Sequence, residues 1–271
     1  MAEGHLELVL DQVPANGLTG CLLHGFGAGP RDLVPLAPLI GGARRWFAMQ
    51  APVPIEVGGT QFGRAWFPGS PEQLQEVLYG TYLQDLPRQE PAELREAAAL
   101  VRGFLETRGV PLESTVIVGF SQGAMVTAEL LRQGLVGDSS FPAAAILLSG
   151  GLVADRWWRE LRTGGEAATE RGVERVTEGA AARDVIRGIG NVAKGASERA
   201  GGLPPVFQSH GRQDRILAYS DGEALRNALT GVGFDVWWHP FEGDHTVPES
   251  VATAARDFLS IKLGNISPDP C

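Results

Sequence analysis

Short apolar runs recur along the chain and are separated by longer segments with helical periodicity. These runs predict β-strands at His5–Leu10, Thr19–His24, Trp46–Gln50, Thr115–Phe120, Ala143–Ser149, Val206–His210 and Phe234–Pro240. The middle runs are apolar throughout and do not alternate with polar residues. That pattern is typical of a parallel sheet whose two faces are both covered.

Helical patterns fill most of the intervals between the strands. In Pro91–Arg108, Leu94, Ala98, Val101 and Leu105 share one face. The other predicted helices are Gly123–Gln133, Leu217–Leu229 and Ser250–Leu263. Strands that alternate with helices indicate βαβ units, and hence an α/β fold with a mostly parallel central sheet and helices on both faces. With no internal repeat and no linker between two cores, we expect one domain over residues 1–271.

Asp155–Ala200 fits this alternation poorly, because it is charged, glycine-rich and lies between two strong strand patterns. We interpret it as an insertion that is helical in part and that forms a cap or lid over the substrate entrance. A surface excursion without a role is an equally good interpretation, since long loops are of both kinds.

Composition narrows the classes of partner. The chain of 271 residues has 23 Lys and Arg against 32 Asp and Glu, which gives a net charge of −9. Proteins that bind phosphate backbones usually carry the opposite balance, so nucleic acid is not an expected partner. The two cysteines, Cys21 and Cys271, are interpreted as free thiols in a reducing cytoplasm. No signal peptide or bilayer-spanning run is visible, so we expect a cytoplasmic location without integral membrane association.

The residues Thr115 to Ala124 predict a strand that ends in Gly-Phe-Ser-Gln-Gly and continues as a helix. This is the context required of a G-x-S-x-G nucleophile elbow, in which Ser121 occupies a sharp turn and Gly119 and Gly123 leave room for it. A five-residue match alone is weak, but the apolar strand before it and the helix after it favour a nucleophile over a structural serine.

A serine hydroxyl requires a general base, and His245 is the best candidate. It lies in a turn-rich loop after the last predicted strand, and it alone follows the order serine, acid, histidine with a strand and a helix between. We interpret the other histidines as packing or surface residues; they are His5, His24, His210 and His239.

The acid is expected after the penultimate strand, where Asp214 follows Ser209-His210-Gly211-Arg212-Gln213. Asp214 would hold one imidazole tautomer and stabilise the imidazolium. Asp244 is adjacent to His245 in the chain and would have difficulty turning towards its neighbour's ring, so we interpret it as a solvated loop acid.

Two backbone N–H groups are predicted to form an oxyanion hole. One belongs to Gln122, directly after the nucleophile, and the other to Phe26 in His24-Gly25-Phe26-Gly27, which follows an early strand. An ordinary glycine turn is the alternative for the second segment.

The elbow, the His-Gly-Phe-Gly segment, the segment ending in Asp214 and Asp244-His245-Thr246-Val247-Pro248 together resemble the phospholipase/carboxylesterase family, which includes the acyl-protein thioesterases. The resemblance implies an α/β-hydrolase fold, a hydrolase without cofactor and a small intracellular protein that is sometimes a homodimer. It supports Ser121, Asp214 and His245 as the triad and Phe26 and Gln122 as oxyanion donors. Arg64, Trp66 and Phe67 resemble that family's segment near the acyl groove and are candidate substrate-binding residues. Plain core packing is the alternative for the two aromatic side chains.

We therefore expect a serine carboxylesterase that cleaves carboxylic esters, or thioesters, of small or medium acyl chains through an acyl-enzyme. One alternative is a lysophospholipase or acyl-protein thioesterase with a long acyl pocket. Another is a catalytically silent binding module on the same fold.

Overall fold

A computed structural model describes residues 5–10, 17–57, 59–67, 86–136, 140–163 and 202–264. Within these residues the strands are β1 Leu6–Val9, β2 Thr19–Leu23, β3 Arg45–Met49, β4 Val53–Val57, β5 Thr60–Ala65, β6 Thr115–Phe120, β7 Ala144–Leu148, β8 Val206–Gly211 and β9 Val236–Phe241. The α-helices are α1 Leu36–Ile40, α2 Ala92–Glu106, α3 Gln122–Val136, α4 Asp155–Arg162, α5 Tyr219–Gly231 and α6 Glu249–Leu263. All strands and long helices predicted from the sequence are present.

A seven-stranded sheet has the order β1-β3-β2-β6-β7-β8-β9. The edge strand β1 is antiparallel to β3, and the remaining pairs are parallel. All residues of β2, β7 and β8 are buried, which explains why the sequences of these strands are not amphipathic. The predicted mostly parallel α/β sheet is confirmed.

Helices cover both faces of this sheet. On one face, Cys21 and Ile117 of the sheet pack with side chains of α2 and α3, such as Val101 and Val126; Leu225 of α5 packs further along it. On the other face, side chains of α1 and α6 pack against Leu22, Val116 and Val118. Successive strand residues point to opposite faces, so each central strand contributes to both cores. No helix among the described residues is long and apolar enough to cross a membrane.

One feature of the described residues was missing from the sequence prediction. The strands β4 and β5 form a separate antiparallel hairpin, in which Pro54 and the mostly exposed β5 residues obscure the usual strand pattern. The predicted insertion begins with α4, which is anchored by the buried side chains of Trp157 and Trp158. The rest of the insertion, from residue 164, lies outside the described residues, and so does the expected cap or lid.

Candidate active site

Ser121 lies in the sharp turn between β6 and α3 with a φ of 54°, in the left-handed region that non-glycine residues rarely adopt. The residues two positions before and after it must lack side chains. A β-carbon at Gly119 would collide with the Gly123 carbonyl, and one at Gly123 would collide with the carbonyl of Leu23 at the end of β2. The Ser121 N–H donates to the Leu148 carbonyl at 2.8 Å, which ties the turn to β7. The local geometry is that of a nucleophile elbow.

The backbone N–H groups of Gln122 and Phe26 have no acceptor among the described residues. Gln122 is the first residue of α3, so its N–H points out of the helix N-terminus. The Ser121 carbonyl already accepts from Ala124 and Met125, at 3.0 and 3.2 Å. The two predicted oxyanion donors are thus available, and the positive end of the α3 dipole lies beside one of them.

His245 and Asp214 meet at the carboxyl ends of β8 and β9. Nδ1 of His245 lies 2.7 Å from Oδ2 of Asp214, while Oδ1 accepts from the N–H groups of Ile216 and Leu217 at 2.9 Å each. Burial by itself raises the pKa of the Asp214 carboxyl, but the hydrogen bonds from His245, Leu217 and Ile216 outweigh it and lower that pKa below its usual value. The carboxylate is therefore held in its charged form against the imidazole.

Asp244 has a different environment, although it precedes His245 in the chain. Its carboxylate accepts from the Nε and Nη2 groups of Arg215 and from the Arg215 N–H. These bonds lower the pKa of Asp244 to about 2. Arg215 has 85% of its side chain exposed, so this is a surface ion pair. Of the two candidate acids, Asp214 is the one that contacts the imidazole ring.

The Ser121 hydroxyl and the His245 ring lie at the same edge of the sheet. The ring of Phe120, the residue before the serine, is 4.9 Å from the His245 ring between centroids. Within the described part of the chain no hydrogen bond joins the Ser121 hydroxyl to His245. Such links are commonly long without substrate and shorten when it binds. The geometry can support transfer of the serine proton to His245, whose other nitrogen already faces Asp214.

The β4–β5 hairpin packs against the loop that carries Phe26. The Gly27 N–H donates to the Arg64 carbonyl at 2.9 Å, and the Arg64 N–H donates to the Ala28 carbonyl at 3.1 Å. The Trp66 indole N–H donates to the His24 carbonyl at 2.8 Å. The hairpin therefore fixes both ends of the loop, a role that its sequence did not reveal.

The side chains of the three predicted substrate-binding residues are bonded to or buried within the protein itself. The Arg64 guanidinium donates to the carbonyls of Ala51 and Pro52. Trp66 and Phe67 are each 1% exposed, which fits the alternative of core packing. An open cavity of about 470 Å³ borders the Phe26 loop and the outer side of the hairpin, where Gln61 and Phe62 line it.

Of the other histidines, His210 is the one that sequence reasoning undervalued. It is fully buried, and its Nε2 lies 2.9 Å from the Leu217 carbonyl and 3.4 Å from Oδ2 of Asp214. His210 lies at the end of β8, four residues before Asp214, and this spacing in the sequence could have indicated that the two side chains are close. His24 has a structural role: its Nδ1 donates to the Gly25 carbonyl, its Nε2 accepts from the Ala51 N–H, and burial lowers its pKa.

The remaining two histidines have packing contacts: His5 accepts from the Gln50 N–H, and His239 stacks on Phe207. Among the residues that the structure describes, no group of three or more His, Cys, Asp or Glu side chains has the arrangement needed to hold a metal ion.

A comparison with models of protein families identifies the family of this chain. The model of the family described as serine hydrolase (FSH1) matches residues 50–256, a range that includes Ser121, Asp214 and His245. No curated protein sequence matches the chain significantly.

Solved structures share the fold at low sequence identity. Esterase PE8 is 23% identical, with a TM-score of 0.60 over 95% of this chain and 98% of that chain. Acyl-protein thioesterase 2 from Zea mays is 19% identical, with a TM-score of 0.63 over 96% and 99%. The Bacillus cereus carboxylesterase is 17% identical, with a TM-score of 0.56 over 95% and 93%. These similarities confirm the α/β-hydrolase fold that the sequence implied.

Proposed function

Because the chain belongs to the serine hydrolase (FSH1) family, we propose that it is a carboxylesterase that forms an acyl-enzyme on Ser121. Its substrates are carboxylic esters, or thioesters, of small or medium acyl chains. The observation that carries the proposal is the 2.7 Å contact between His245 and the Asp214 carboxylate at the sheet edge where Ser121 occupies a left-handed turn. Acyl transfer by a serine needs a nucleophile, a general base and an acid that orients the base, and we assign these roles to Ser121, His245 and Asp214.

In the proposed reaction the Ser121 oxygen attacks the acyl carbonyl while His245 takes the hydroxyl proton at Nε2. The carbonyl oxygen becomes an oxyanion, which the N–H groups of Phe26 and Gln122 stabilise. His245 then gives its proton to the departing alcohol or thiol, and the acyl group stays on Ser121. Water, deprotonated by the same imidazole, attacks the acyl-enzyme and releases the carboxylic acid, which restores the serine.

Asp214 has a constant role during these steps. It keeps the proton of the resting imidazole on Nδ1, so that Nε2 is free to accept, and it stabilises the positive charge that His245 acquires. The lowered pKa of Asp214 keeps this carboxyl ionised at neutral pH.

The preference for small or medium acyl chains is supported by the cavity beside the Phe26 loop. Among the described residues, its lining consists largely of glycines and polar side chains, with the rings of Phe26 and Phe62 and no leucine, isoleucine or valine. Long acyl chains are usually held by pockets lined predominantly by apolar side chains. A lysophospholipase or acyl-protein thioesterase with a long acyl pocket is the second candidate, since acyl-protein thioesterase 2 from Zea mays shares this fold.

Hydrolysis of p-nitrophenyl esters from acetate to palmitate tests the proposal. We expect kcat/KM to be highest for acyl groups of short to medium length and to fall by about 10⁴-fold or more in Ser121→Ala. A maximum at palmitate would favour the second candidate. Hydrolysis that is equally fast in Ser121→Ala would remove Ser121 from the mechanism. A wild-type protein that cleaves no ester or thioester of any length would contradict the proposal, and one whose Ser121 also fails to react with a fluorophosphonate would be a silent binding module.

A further inference from the structure

The side chain of Gln122 forms two hydrogen bonds to the chain segment that leaves the hairpin. Its Oε1 accepts from the Trp66 N–H at 2.8 Å, and its Nε2 donates to the Phe67 carbonyl. The residue is 6% exposed, so neither bond can be replaced by bulk water at no cost. One amide therefore pairs with two backbone groups of consecutive residues.

The same hairpin supports the loop of the other predicted oxyanion donor. Arg64 exchanges backbone hydrogen bonds with Gly27 and Ala28 on the far side of Phe26. The indole of Trp66 donates to the His24 carbonyl on the near side. The hairpin is thus bonded to the Phe26 loop and to Gln122 at once, and Trp66 takes part in both contacts.

The distance between the two N–H groups matters for catalysis, because both are proposed to donate to the same oxygen. Each donor must lie about 2.7–3.1 Å from the developing oxyanion. Phe26 follows β2 and Gln122 begins α3, so no short stretch of chain sets the distance between them. The paired strands β2 and β6 bring Leu23 beside Gly119, and a second connection runs by hydrogen bonds from the Gln122 side chain through Trp66 to the loop around Phe26.

We propose that the Gln122 side chain is a positioning residue for the oxyanion hole. Its amide fixes the start of α3 to the hairpin, and the hairpin fixes the Phe26 loop, so the two N–H donors keep their separation. The inference rests on the proposed function, because it assigns a purpose to the geometry around the acyl-enzyme. The backbone N–H of Gln122 donates to the oxyanion, whereas the side chain acts through Trp66 and Phe67.

The first test is Gln122→Met, which keeps the backbone N–H and a similar length but removes both side-chain hydrogen bonds. A control on the same helix is Gln133→Met, since Gln133 also donates to a backbone carbonyl, that of Arg95, away from the elbow. The measurements are kcat and KM for a p-nitrophenyl ester, the inhibition constant of a trifluoromethyl ketone that forms an oxyanion on the serine, and the melting temperature.

We expect kcat of Gln122→Met to fall by about 10- to 100-fold, as a displacement of roughly 1 Å would cause, with KM changed little. Binding of the trifluoromethyl ketone should weaken by a similar factor, and Gln133→Met should match the wild type in both. A lower melting temperature with unchanged kcat and unchanged ketone affinity would show that the amide only stabilises the fold, and it would overturn the proposal.

Gln122→Glu provides a second test that does not depend on the methionine variant folding well. A protonated carboxyl can accept from Trp66 and donate to Phe67 as the amide does, whereas a carboxylate would face the Phe67 carbonyl without a proton. We expect the kcat of this variant, divided by that of the wild type at each pH, to rise as the pH falls. A ratio that is constant or falls would contradict the positioning role.

Trp66→Phe completes the design, because it removes the indole N–H that binds the His24 carbonyl and keeps an aromatic ring at this buried position. If Trp66 and Gln122 act through the same hairpin, the variant with both substitutions should lose less kcat than the product of the two single losses. If the loss of kcat in the double variant equals the product of the two single losses, the two side chains act independently and the proposed connection through Trp66 is wrong. If the wild type itself shows no labelling of Ser121 and no esterase activity, the proposed function fails. If the wild type is active and Gln122→Met equals it, this inference alone fails.

Discussion

Nδ1 of His245 lies 2.7 Å from Oδ2 of Asp214, across a sequence separation of 31 residues. The carboxylate that makes this contact is fully buried, and two backbone N–H groups fix its other oxygen. A charged group is stable in such a place only when its hydrogen bonds are satisfied. The charged Asp214 carboxylate is therefore stable at this sheet edge in contact with the His245 ring.

Asp214→Asn should lower kcat by about 10³- to 10⁴-fold, because an amide in place of the carboxylate favours the wrong imidazole tautomer and cannot stabilise the imidazolium. The measurement is kcat for a p-nitrophenyl ester. Asp244→Asn is the matched control, since Asp244 is the neighbouring acid and forms a surface pair with Arg215. We expect that variant to stay within a few-fold of the wild type. Equal losses in the two variants would contradict the assignment of the acid.

Asp214 should also make the unfolding free energy depend on pH in the acid range. Its pKa is lowered in the folded state, so between the folded and unfolded pKa values the unfolded chain binds more protons. The stabilisation is then complete above the unfolded pKa of about 3.9 and is lost as the pH falls through the folded pKa. Urea unfolding should show a difference between wild type and Asp214→Asn that is constant at neutral pH and narrows in acid. A difference in unfolding free energy that widens in acid would contradict a lowered pKa of Asp214 in the folded state.

Gly123→Ala should destabilise the protein by about 2–4 kcal/mol, because its β-carbon would collide with the Leu23 carbonyl and neither backbone can move freely. Gly103→Ala is the control within helix α2, where an added β-carbon meets nothing within 4 Å. That change should stabilise the helix by about 0.5–1 kcal/mol. Chemical denaturation of both variants checks the prediction. Equal effects of the two substitutions would mean that the elbow is less tightly packed than its geometry indicates.

The nucleophile helix contains a buried ion pair whose loss should be costly. Arg132 donates twice to Glu129 at 2.7 Å, and the side chains are 9% and 2% exposed. Arg132→Met should cost about 3–5 kcal/mol, since it leaves the Glu129 charge buried and unpaired, while replacing both residues with Met should recover most of that loss. Arg156→Met removes exposed pairs with Glu90 and Glu160 and should leave the denaturation midpoint close to that of the wild type. Denaturation midpoints that do not separate these variants would contradict this reasoning.

The sequence predicted the central sheet well because burial on both faces leaves long apolar runs, as in β7, where every residue is buried. It also located the serine turn, since a left-handed residue between two glycines requires a recognisable motif. The hairpin was missed because Pro54 and the mostly exposed residues of β5 obscure the usual strand pattern. A sequence shows which residues are apolar, but it does not show which distant loop they support.

Side-chain hydrogen bonds over long sequence distances were the other feature beyond prediction. Gln122 was identified for its backbone N–H, yet its amide reaches Trp66 across a separation of 56 residues. His210 was interpreted as a packing residue, and the structure places its ring 3.4 Å from the Asp214 carboxylate. Such contacts depend on how the ends of different strands align, which hydrophobic periodicity does not record.

Covalent labelling of Ser121 tests the central claim most directly. The folded wild-type protein is treated with a fluorophosphonate, digested and analysed by mass spectrometry, with Ser121→Ala and heat-denatured wild type as controls. We predict one modified peptide, with the added mass on Ser121, in the folded wild type and no such modification in either control. An unmodified Ser121, or a label of equal yield in Ser121→Ala, would contradict the account.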